Sequence, residues 1–90
     1  MSSFDEAFDI YQSFLNTFEK NSKPEEYVKV DEESNRERAI LKFLNGFNVE
    51  LSNKRDGENN AQICCWWNNR DNTTEIFTLE ELIEAFYSRS

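Results

Sequence analysis

Histidine is absent from this 90-residue sequence, and glycine, proline and cysteine are scarce: two, one and two residues. Without histidine no Ser-His or Cys-His nucleophilic pair can be assembled, and the most usual general base is missing. The two glycines, Gly46 and Gly57, are too few for a phosphate-cradling loop, and Asp56-Gly57-Glu58 lacks the ligand spacing of a calcium loop. Cys64 and Cys65 are adjacent, so a disulfide between them would need a strained vicinal geometry. With no histidine and no second cysteine pair, neither a metal nor a cofactor is expected, and the thiols read as structural and reduced. No apolar run approaches the roughly 20 residues of a membrane span, and the amphipathic, acidic N-terminal stretch is unlike a secretory signal. A cytoplasmic protein without catalytic apparatus, a non-enzyme, is the expectation.

What is abundant is aromatic and acidic. Eight Phe, three Tyr and two Trp can supply most of a core for one small domain spanning residues 1–90. Eighteen acids against ten bases give a net charge of −8. Residues 1–33 hold nine acids and three bases, whereas residues 34–90 hold nine and seven. A field of that sign disfavours direct contact with nucleic acid or an anionic membrane and favours a protein partner with a basic surface.

The chain is organised around Ile63-Cys64-Cys65-Trp66-Trp67, short, β-favouring and apolar on both faces. Alternation puts Ile63, Cys65 and Trp67 on one face, the more apolar, and Cys64 and Trp66 on the other. Phe47, Val49 and Leu51 alternate with Asn48, Glu50 and Ser52 upstream, which predicts a first strand, with Asp56-Gly57 in the connecting turn. Residues 73–77 supply a short third strand.

Three capping boxes mark helix starts. Ser3 with Glu6 opens a helix over about residues 4–20, with Phe4, Ala7, Phe8, Tyr11, Phe14, Leu15 and Phe18 recurring at helical spacing. Ser34 with Glu37 opens a second, carrying Ala39, Ile40, Phe43 and Leu44 and ended by Gly46 as its C′ glycine. Thr78 with Glu81, stapled by Phe77 and Leu82, opens a third that runs to about Ser88. The expected architecture is α+β, ordered helix, helix, strand, strand, strand, helix: a three-stranded antiparallel meander packed against helices.

Two features point outward. Glu25, Glu26, Asp31, Glu32 and Glu33 crowd residues 25–33 against Lys29 alone. They read either as a solvated connection preceding a helix or as an acidic contact surface. Trp66 shares parity with Gln62, Cys64 and Asn68, the polar row, and reads either as an exposed interface anchor or as a residue covered by the 21–33 connection or a second subunit.

In size, acidity and lack of catalytic apparatus the chain is similar to the small inhibitor proteins of phages and the immunity proteins of bacteriocins, a likeness of composition that covers no motif. It implies an acidic binding protein that blocks a basic, nucleic-acid-binding partner, with Glu25, Glu26, Asp31, Glu32, Glu33 and Trp66 as contact residues. The alternative is a structural or regulatory subunit whose open sheet face completes an oligomer, a homodimer for example.

Overall fold

The structure is a computed structural model and describes residues 3–18, 23–54, 60–69 and 72–88. Ser3 Oγ accepts the Glu6 amide at 3.3 Å and starts α1 (Phe4–Leu15), with Asp5 and Glu6 in the first turn, where the helix dipole favours carboxylates. Ala7, Tyr11, Phe14 and Leu15 form its buried stripe. The helix stops at Leu15, with Asn16 as C-cap, instead of continuing to about residue 20.

The middle third departs from expectation. Residues read as an acidic connection and a second helix form two strands, β1 (Glu25–Asp31) and β2 (Arg36–Lys42). Between them the Asp31 carboxylate accepts the amides of Glu33 and Ser34 at 3.1 and 3.3 Å, and Asn35 adopts φ 56°. Asn tolerates that left-handed conformation, so the apparent Ser34–Glu37 capping box is part of a hairpin turn. Arg36 to Lys42 is rich in good helix formers, but β2 lies between two strands, and tertiary pairing overrides a propensity of a few tenths of a kcal/mol per residue. Leu44, assigned to the helical stripe, is fully exposed at the turn after β2. Gly46 does adopt a positive φ, 96°, but in the β2–β3 turn, where its amide bonds to Phe43 O at 3.1 Å.

β3 (Phe47–Lys54), β4 (Gln62–Trp67) and β5 (Thr74–Ile76) follow, and Thr78 Oγ1 caps α2 (Leu79–Tyr87) by accepting the Glu81 amide at 3.1 Å. The Asp56-Gly57 turn lies outside the described residues. The fold is α+β: among the described residues, a five-stranded antiparallel sheet in the order β1-β2-β3-β4-β5 with two helices, in place of three strands and three helices. The double-tryptophan strand is flanked on both sides as expected, but the middle of the sheet is β3.

Both helices lie on one face, α1 against β3, β4 and α2, and α2 against β5. That face presents register rows of apolar side chains, Leu41–Val49–Cys65 and Ala39–Leu51–Ile63–Ile76. Phe14, Phe18, Phe43, Phe47 and Phe86 close the space between helices and sheet with ring centroids 5.0–6.3 Å apart. Trp67 packs on Phe47 at 4.9 Å on this side, as its parity predicts. The helices do not extend over β1, and Val28 and Val30, which share the helix-side face, are 67% and 46% exposed. Among the described residues the other face of the sheet carries no helix.

Candidate protein-binding face

Alternation in β1–β4 brings three rows onto the helix-free face: Lys29–Arg38–Ser52–Gln62, Tyr27–Ile40–Glu50–Cys64, and Glu25–Lys42–Asn48–Trp66. Most of their residues line a concavity of about 790 Å³ that includes Ile40 and Glu50, with Tyr27 and Trp66 as its aromatic members. Trp66 is half-buried, not freely exposed.

Hydrogen bonds hold the walls in place. Asn48, almost completely buried, donates through Nδ2 to Gly46 O at 3.1 Å and to Asn68 Oδ1 at 2.7 Å. A buried amide satisfied in this way fixes the strand opposite Trp66, since leaving it unpaired costs about 1–3 kcal/mol. Arg36 Nη1 donates to Ser52 Oγ at 2.8 Å and to Asn60 O at 3.1 Å. Arg38 bridges Glu50 at 3.3 Å and Asp31 at 3.7 Å. The Lys42 ammonium sits 6.0 Å from the Tyr27 ring centroid.

The ionisable groups follow these contacts. The Ser34 hydroxyl and amide, the Glu33 amide and Arg38 hold the Asp31 carboxyl below its usual range. Burial, then the charges of Glu50 and Glu75, push the Cys64 thiol up, and burial pushes Cys65 to about 11. Both cysteines are free, Cys65 buried and Cys64 partly so, and neither has the lowered pKa of a reactive thiol. Among the described residues no group of three or more His, Cys, Asp or Glu is placed to hold a metal ion.

Four of the residues singled out from sequence, Asp31, Glu32, Glu33 and Trp66, line this one concavity. Glu25 lines an adjoining hollow of about 490 Å³ with Lys42, Asn48 and Asn68. Glu26 points to the opposite side, where its charge adds to burial in raising the Tyr11 phenol to about 12. Tyr27, Lys29 and Ile40 were missed. Strand parity in residues 25–31 was the signal that would have grouped Tyr27, Lys29 and Asp31 and set Glu26 apart.

Compared with protein-family models, curated proteins and solved structures, the chain finds no match. Among the described residues no helix is long and apolar enough to cross a membrane.

Proposed function

We propose that this chain is a non-enzymatic, acidic protein-binding module of the cytoplasm that takes a partner with a basic surface, such as a nucleic-acid-binding protein, on the helix-free face of its sheet. The observation that supports this reading is the meeting of Trp66 with Glu32 and Glu33 around one concavity. Asp31 and Glu50 are engaged by Arg38, whereas Glu32 and Glu33 form no ion pair among the described residues and are exposed on the β1–β2 turn. They are placed to meet incoming cations at the rim, while Trp66 and Tyr27 supply apolar area beneath. The net charge of −8 steers the encounter, and the aromatic contact governs residence.

Capture from lysate on immobilised protein, at low and high salt, tests this. Wild-type protein is expected to retain a basic partner that high salt releases. Reversing Glu32 and Glu33 to Lys should slow its association and flatten the salt dependence, and Trp66→Ala should speed dissociation, weakening binding by about 2 kcal/mol or more. Binding indifferent to both changes would refute the proposal.

One observation favours the second reading, a subunit that assembles through the same face: Lys29, Arg38 and Lys42 stand beside Asp31 and Glu50, so the face carries both charge signs. A concentration-dependent mass in sedimentation, abolished by Trp66→Ala, would select it.

A further inference from the structure

The helix side of the sheet has a separate feature that the helix-free face does not involve. Among the described residues β1 is an edge strand, seven residues long and paired on one side only, to β2. Along its outer side every second residue presents an N–H and a C=O that no described strand takes up. Proteins usually shorten, cover or charge such an edge. The opposite edge follows that rule: β5 has three residues and leads directly into α2. On β1 the inward side chains are Glu26, Val28 and Val30, all exposed, because α1 reaches over β3 and β4 and stops short. Phe4 and Phe8 on α1, stacked at 5.5 Å and 38% and 42% exposed, face the same gap. Between them runs a groove of about 160 Å³ with Tyr11, Ala39 and Leu51 in its lining and Glu37 as the one charged lining group.

We propose that β1 receives an extended segment of a partner protein as a sixth strand, one that alternates apolar and basic residues. Its apolar side chains enter the groove between Val28, Phe4 and Phe8, and its backbone completes the edge. Charge argues for basic residues between them. The strand and its turn carry Glu25, Glu26, Asp31, Glu32 and Glu33 against Lys29, and α1 adds Asp5, Glu6 and Asp9 with no base of its own. The same arithmetic disfavours a second copy of this chain, which would bring two acidic edges together. At the polar end of the groove the Asn53 Oδ1 atom is buried with no hydrogen-bond donor among the described residues, opposite Glu37 in register. The basic residues of the added strand alternate away from this groove, to the side where Glu25 and Asp31 of β1 stand.

The probe is a capped peptide of alternating Lys and Val matching the length of β1, titrated into the intact chain and followed by amide NMR. We expect shifts centred on β1 and Phe4–Phe8, and new hydrogen-exchange protection at alternate β1 amides. Val28→Lys, a change at a largely exposed position, should weaken binding by about tenfold or more. Trp66→Ala, on the other face, should leave it within about twofold, which separates failure of this proposal from failure of the one above. Methylating alternate peptide nitrogens should abolish binding to the unaltered protein, a control that does not depend on any variant folding. Equal binding of a peptide with its lysines and valines in separate blocks, or of an alternating Glu-Val peptide, would overturn the proposal. So would no binding at all, or a dimer of the chain alone that Val28→Lys dissolves.

Discussion

Replacing Phe14 with Ala probes how α1 sits on the sheet. Phe14 is 1% exposed and touches Phe18, Phe43, Phe47 and Phe86, so its ring lies where helices and sheet converge. An aromatic side chain buries about 150–250 Å², which at roughly 25 cal/mol/Å² is about 4–6 kcal/mol. Ala keeps part of that area and the unfolded chain is not fully extended, so about 3–5 kcal/mol is the expected loss. A 90-residue domain holds about 5–14 kcal/mol in all, and the variant should be close to unfolding at ambient temperature. Phe8, two turns earlier on the same helix, is 42% exposed and packs on the equally open Phe4, so Phe8→Ala leaves no closed cavity and should cost about 1 kcal/mol. Urea unfolding followed by tryptophan fluorescence reads both, with an unchanged m-value. If Phe8→Ala matched or exceeded Phe14→Ala, α1 would be rotated about its axis, and the groove beside β1 would not exist.

Three further outcomes are expected. Thr78→Ala should lose about 1 kcal/mol, because the hydroxyl caps the Glu81 amide; unchanged urea stability would mean α2 does not depend on that cap. Gly46→Ala should lose about 1–2 kcal/mol from backbone strain at φ 96°, since the added Cβ would meet Asn68 Nδ2 only at an ordinary 3.6 Å; a stabilised variant would show that the turn takes another conformation. For Tyr11 the folded phenol stays neutral to about pH 12 while the unfolded one ionises near 10. Its contribution, at most about 2–3 kcal/mol, is therefore whole below pH 10 and lost as pH rises towards 12, and Tyr11→Phe should lessen the alkaline loss of stability seen in urea midpoints across that window.

Legibility in the sequence tracked how local the determining forces are. Ser3 and Thr78 cap their own helices, Phe47–Leu51 alternates cleanly, and Ile63–Trp67 is a short β-favouring run, so those elements were readable from a few neighbouring residues. Residues 36–42 were not. Ala39, Ile40 and Leu41 are consecutive because β2 buries both faces in mid-sheet, and a consecutive apolar triplet also fits a helical stripe. What decides between them is pairing with residues 47–54 and 25–31, which no short window contains. The candidate face inherited both results: Trp66 was placed by its own strand's parity, while Tyr27, Lys29 and Ile40 became neighbours only once β1 and β2 existed.

The order of the strands has a kinetic consequence. Each strand pairs with the one next to it in the chain, so the sheet can close through a series of short loops at little entropic cost. α1 is different: its partners, β3, β4 and α2, arrive only after two intervening strands have been made. Its aromatic stripe must wait, and docking should follow the rate-limiting step. Gly46→Ala, in a hairpin turn, should then slow folding, and Phe14→Ala should mainly speed unfolding. A chevron in which Phe14→Ala slowed folding instead would put α1 in the nucleus and the sheet after it.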